Sequence, residues 1–219
     1  MLTTKNIQQT ERKTPKTLQP GNARCRIYNI ELTPGYNPDS YNLMLHLESE
    51  PLGDDFEGFF IDKDDESKGK YAGQVGRVRA SQYAFETKTL PNGNEINRDE
   101  SILKVLLALA KAQGVNDQLD AVEAKTIEEY VEMARPILCN NIFLNYCLAG
   151  RQYQNKQGYP AFDLYLPKPK KGEMNKYAFS AEPDNVIEFT TELHITGKKA
   201  ESRATDEFEP SASADEFTM

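Results

Sequence analysis

Tryptophan is absent from this sequence, histidine occurs twice and cysteine three times, and each shortage removes a class of chemistry. Cys25, Cys139 and Cys147 are odd in number and far apart, so they form neither a disulfide framework nor the paired cysteines of a zinc module. Buried free thiols are the expected state. His46 and His194 stand away from any cysteine pair, which leaves a structural zinc without a ligand set. No metal and no cofactor is therefore expected.

Long apolar runs are missing as well. The longest, Ile102 to Ala112, is interrupted by Lys104 and Lys111 and falls far short of the roughly 20 residues that cross a bilayer. The opening Met1 to Pro20 is polar and has no apolar stretch of the signal-peptide kind, so the sequence reads as that of a cytoplasmic protein without membrane contact. No glycine-rich phosphate cradle follows a predicted strand, and no His or Cys has a catalytic partner at a recognisable spacing. Carboxylates are plentiful, for example Asp54, Asp55, Asp62, Asp64 and Asp65, yet several fall in one predicted loop and their spacing does not converge as a nuclease would require. The expectation is a non-enzyme.

Positive charge is in deficit, with a formal net charge of -8, but the deficit is uneven. Residues 200–219 hold Glu201, Asp206, Glu207, Glu209, Asp215 and Glu216 against the single cation Arg203, so more than half of the excess lies in this short tail. Its few apolar residues, Phe208, Phe217 and Met219, cannot offset the entropy of ordering it. Residues 1–21 read as a flexible basic arm, with Lys5, Arg12, Lys13 and Lys16 against Glu11.

Between the two ends, residues 22–198 read as one domain. Near-alternating β-branched, aromatic and leucine residues predict strands at Ala23 to Leu32, Tyr41 to Glu48, Phe56 to Asp62 and Gln74 to Thr87, with a loop over Asp62 to Gly73. Pro91-Asn92-Gly93-Asn94 closes this run with a turn. Over 98–140 the period changes to three and four (Ile102, Val105, Leu106, Leu109, then Ile127, Tyr130, Val131, Ala134), which predicts amphipathic helices. Asp99 is placed to cap the first and Thr126 with Glu129 the second, whose end Pro136 disrupts. Strands return at Ile142 to Gln154, Tyr159 to Leu166 and Val186 to Thr196. The fold class is mainly β with a helical insert: a five-stranded Greek-key barrel of the oligonucleotide-binding type, helices between strands three and four, and an extra C-terminal strand.

Side-chain alternation along the strands points to a surface. From Gln74, one face reads Arg77, Arg79, Ser81, Tyr83, Phe85 and the other Gly76, Val78, Ala80, Ala84. The first strand sets Arg24, Arg26 and Tyr28 opposite Ala23, Cys25 and Ile27, and the fourth barrel strand adds Arg151 and Tyr153. Cations that follow phosphates beside rings that stack on unpaired bases are what single-stranded nucleic acid requires. Lys168, Lys170 and Lys171, held extended by Pro167 and Pro169, add a cationic strip. The alternative is that the aromatics are core residues at strand ends and the arginines pair with surface acids.

In the tail, Asp206-Glu207-Phe208 recurs as Asp215-Glu216-Phe217, an aromatic behind two carboxylates that fits a basic, apolar-floored pocket on another protein. With this element order and this ending, the chain resembles bacterial and phage single-stranded-DNA-binding proteins. The resemblance implies sequence-independent coating of single-stranded DNA in replication and recombination, with Asp215, Glu216 and Phe217 recruiting polymerase, primase or helicase and the tail competing with DNA. The chain departs from that pattern by Thr218 and Met219 after the phenylalanine, by a larger helical insert, and by having no tryptophan for stacking; these differences favour a phage protein. A homo-oligomer is compatible with the sequence. The alternative class is a structural or interaction protein, such as a virion component or inhibitor, whose β-face binds protein while the tail only solvates it.

Overall fold

The computed structural model describes residues 17–35, 40–51, 59–60, 70–71, 73–83, 86–170, 173 and 175–197, with backbone alone at 59–60, 70–71 and 82–83. The arm through residue 16, Phe85, Lys171 and the tail with Asp215, Glu216 and Phe217 lie outside the described residues. So does the side chain of Tyr83.

The strands are β1 (Gly21–Pro34), β2 (Tyr41–Ser49), β3 (Phe59–Phe60), β4 (Lys70–Tyr71), β5 (Val75–Tyr83), β6 (Thr87–Thr89), β7 (Glu95–Asn97), β8 (Leu144–Gln154), β9 (Pro160–Tyr165), β10 (Phe179–Ser180) and β11 (Ile195–Gly197). Helices α1 (Arg98–Gln113), α2 (Asn116–Asp120) and α3 (Ile127–Leu138) sit between β7 and β8, and α4 (Thr191–His194) precedes β11. Five strands close a barrel in the order β1-β2-β5-β9-β8, with β8 returning to β1. All joints are antiparallel except β5 to β9, which is parallel. Because β8, fourth in the chain, is passed over so that β5 meets β9, the connection is a Greek key. The helices fall between the third and fourth barrel strands, and the fold is the expected barrel of the oligonucleotide-binding type.

Alternation explains the inner surface. Ile27, Leu43, Leu45, Leu47, Val78, Leu144, Tyr146 and Leu148 are buried in one core, each aliphatic side chain contributing roughly 1.5–3 kcal/mol by leaving water. The helices join that core through Ile102, Leu106 and Leu109 of α1 and Val131, Ala134 and Leu138 of α3. The Nε of Arg135 on α3 donates to the Ile30 carbonyl at 2.9 Å, tying the insert to β1. Helix α1 is capped by the Asn97 side chain, which accepts from the Glu100 amide at 3.0 Å. Asp99, the expected cap, lies inside the first turn and holds Arg98 at 2.7 Å. Thr126 caps α3 by accepting from the Glu129 amide at 3.2 Å, and Pro136 lies within the helix, which runs two residues past it.

Two segments differ from the sequence reading. The barrel begins before residue 22: the Leu18 amide donates to the Val75 carbonyl at 3.0 Å and Leu18 is buried, because an isolated apolar residue gains more inside the barrel end than in a polar arm. A Cβ at Gly76 would sit 2.9 Å from Leu18 Cβ, so only glycine admits the segment there. At the other end, the predicted strand Val186 to Thr196 is a strand only at Ile195–Gly197. Val186 and Ile187, with Phe189, instead cover Cys147 on the outside of β8.

Candidate nucleic-acid interface

The outer face of the barrel takes its shape from two bulges. On β1 the register passes from Ile27 opposite Leu47 to Asn29 opposite His46, leaving Tyr28 as the extra residue. On β5 it passes from Arg79 opposite Met44 to Ser81 opposite Leu43, leaving Ala80 extra. The second bulge ends the expected run of one face after Arg79, and Phe85 lies outside the described residues. Arg77 and Arg79 share the outer phase of His46 and Met44, whereas Ser81 shares the register phase of buried Leu43, and Tyr83 is paired with Tyr41.

Across β5, β9 and the end of β8 lies a groove of about 760 Å³. Arg77, Arg79 and Tyr153 line it, with Asn42 and Met44 from β2, Asp163 from β9, and Leu18 and Gly76 among its lining residues. The Arg79 guanidinium stands 6.0 Å from the centroid of the Tyr165 ring, which itself is on the outside of β9. Both residues also line a second groove of about 380 Å³ that continues to Lys168. Arg77, Arg79 and Lys168 thus follow one path along the β5 to β9 seam, with Tyr153 and Tyr165 beside it.

The turn joining β8 to β9 rises at the end of this path. Asn155 folds it, its side chain accepting from the amides of Gln157 and Tyr159 at 2.9 Å each. Gly158 supplies the left-handed φ of +80° that the turn requires. Tyr159 at the end of the turn is 66% exposed and Tyr153 43% exposed, far more than rings of a core.

Other expected site residues are placed elsewhere. Arg26 donates from Nε and Nη2 to Glu48 Oε2 at 2.6 Å, with Glu48 wholly buried, and its Nη1 reaches the Asn141 side chain. Arg24 pairs with Glu50 at 3.2 Å. For these two arginines the alternative of pairing with acids is what the fold contains, because β1 and β2 bring Glu48 and Glu50 beside them. Arg151 is exposed on β8, opposite Asp163 of β9 and Thr196 of β11. Lys170 donates to the Leu193 carbonyl at 3.0 Å and is directed to the C-terminal segment. Tyr28 meets the His46 ring edge-on, with centroids 5.6 Å apart.

Sequence reading missed Tyr159, Tyr165, His46 and Glu31. Asn155-Lys156-Gln157-Gly158 is a turn signal that would have placed Tyr159 at a hairpin rather than in a strand. Glu31 and His46 carry no local signal, since they meet only across strands. Among the described residues, no three His, Cys, Asp or Glu side chains form a group able to hold a metal ion, and no helix is long and apolar enough to cross a membrane. No protein-family model, curated protein or solved structure matches the chain.

Proposed function

We propose that this chain binds single-stranded DNA without sequence preference and without catalysis, as a coating protein of DNA replication or recombination resembling the phage type. The observation that carries the reading is the groove on the outside of β5 and β9, where Arg77 and Arg79 run beside Tyr153, with the adjoining groove that takes Arg79 past Tyr165 to Lys168. Its position supports the same reading, since ligands of such barrels lie across the second and third strands and against the loops joining strands one to two and four to five. Here those are β2, β5 and the turn carrying Tyr159. Cations at the spacing of a strand follow phosphates, and exposed rings stack on bases that lack a complement. Duplex DNA offers the phosphates without the free base faces.

In this reading the acidic end, with Asp215, Glu216 and Phe217, recruits replication proteins and competes with DNA in the cytoplasm where replication takes place. The strand β11 supports the competition, because it ends at Gly197 opposite Gln152, one residue from Tyr153 at the groove. The test is fluorescence anisotropy of a labelled oligothymidine titrated with the full chain at rising salt. Binding that prefers the single strand to its duplex and weakens with a slope of about -0.7 per phosphate neutralised is expected. Salt-independent binding, or none, overturns the reading in favour of a protein-interaction surface.

A further inference from the structure

One carboxylate in the outer face is placed against the cations rather than with them. Arg77 on β5 and His46 on β2 stand directly opposite each other, and Glu31 reaches them from β1. A single oxygen, Oε1 of Glu31, lies 2.6 Å from Arg77 Nη2 and 3.0 Å from His46 Nε2. Tyr28 holds the imidazole from the other side, its hydroxyl 3.5 Å from Nδ1. Arg77 itself remains more than half exposed, so the cation is open to solvent while one of its donors is occupied.

We propose that Arg77 and His46 form a phosphodiester-contact point at the edge of the groove, and that Glu31 is its internal competitor, occupying the oxygen's place until nucleic acid displaces it. The proposal rests on the single-strand reading and deepens it. A carboxylate oxygen and a phosphodiester oxygen present the same thing to a guanidinium, one delocalised negative charge at hydrogen-bond distance. Burial pushes the Glu31 carboxyl up, but the neighbouring His46 ring and Arg77 guanidinium outweigh it and hold the carboxyl below its ordinary value. Glu31 therefore stays ionised and in place when no ligand is present. Because an ion pair whose cation is more than half exposed is weak, an incoming phosphate can exchange with it, and the exchange takes part of the affinity. Glu31 also acts as a tethered counterion. With it present, Arg77 has fewer mobile ions to release, which flattens the salt dependence.

The test is the oligothymidine titration with the wild-type chain, Glu31→Gln, Glu31→Asp, Arg77→Ala, the double variant Glu31→Gln/Arg77→Ala, and Glu100→Gln. Glu100, on α1, pairs with Lys104 at 2.6 Å, so its neutralisation gives the same change of net charge away from the groove. Glu31→Gln is expected to tighten binding about fivefold at low salt and to steepen the slope by about 0.7. Glu31→Asp, which keeps the charge but shortens its reach, is expected to tighten binding less, and Glu100→Gln to leave it near wild type. The gain of Glu31→Gln is expected to vanish when Arg77 is alanine. Tightening by Glu100→Gln as large as that by Glu31→Gln, a gain that survives loss of Arg77, or wild-type binding indifferent to both Glu31 variants overturns the competitor role while leaving the single-strand reading intact. Absence of binding by every variant overturns both.

Discussion

Arg26 and Arg77 look alike in sequence, each a cation between two apolar or small residues on a strand, and the fold gives them different work. Arg26 meets a buried carboxylate on the neighbouring strand, while Arg77 faces a groove. Arg26→Ala takes the guanidinium from the buried Glu48 carboxylate and is expected to cost about 2 kcal/mol of stability, read as a lower melting temperature. Arg79→Ala should leave melting nearly unchanged and reduce the salt slope of DNA binding by about 0.7. The local pattern could not separate the two kinds, because Glu48 lies twenty-two positions from Arg26 in sequence and is adjacent only once β1 and β2 pair. A cysteine shows the opposite case, in which the sequence reading held. Cys25 is a free, buried thiol, and burial first, with the charges of Glu48 and Glu50, pushes it from 9.0 to about 12. The folded state therefore keeps its proton where the unfolded chain has lost it. That contribution to stability is whole below about pH 9 and lost as the pH rises toward 12. Alkaline unfolding followed by circular dichroism should show a shallower decline in Cys25→Ala than in the wild-type chain.

At the scale of elements, periodicity made the helices and the barrel strands legible, because a period of two or of nearly four is a property of consecutive residues. Bulges are not. The extra residues Tyr28 and Ala80 exist to let β1, β2 and β5 curl around a common core, and nothing next to Ala80 announces that the alternation will reverse there. For the same reason the outer face that runs through Arg77 and Arg79 does not continue to Ser81. The C-terminal segment was misread for a related cause. Val186, Ile187 and Phe189 satisfy a strand pattern locally, yet they serve as a cover over β8. The turn between β8 and β9, by contrast, is built from its own residues, and Tyr159 at its end is the most exposed large hydrophobic residue among those described. Tyr153→Ala is expected to weaken oligothymidine binding about tenfold with no loss of melting temperature, and Tyr159→Ala to do the same to a smaller degree. Equal melting loss in both would instead make the rings packing residues.

The whole molecule was legible in strand order, helix position and barrel class, but not in the register of its closing joint. Order is written along the chain, whereas the pairing of β5 with β9 past β8 is decided by which strand edges remain after the antiparallel pairs have formed. Charge distribution acts at this scale also. Deleting residues 200–219 removes six acids and one cation from a chain whose β11 ends beside the groove, so DNA binding should tighten at low salt and lose that gain as salt screens it. Looser binding after deletion would show that the tail assists rather than competes.

The barrel is closed at its parallel joint by the residue pairs Val78 with Leu164 and Arg79 with Tyr165, and the Leu166 amide extends the joint by donating to the Arg79 carbonyl at 3.0 Å. Every other joint of the barrel is longer. A stave vessel opens at its shortest seam, and the groove lies over this one, with arginines on one side and tyrosines on the other. A strand of DNA held by both sides would act as a clasp. Amide hydrogen exchange at Leu164 and Leu166 should then slow on addition of oligothymidine, by more than exchange in α1 or α3 does, so that the ligand a barrel of this kind carries also keeps its carrier shut.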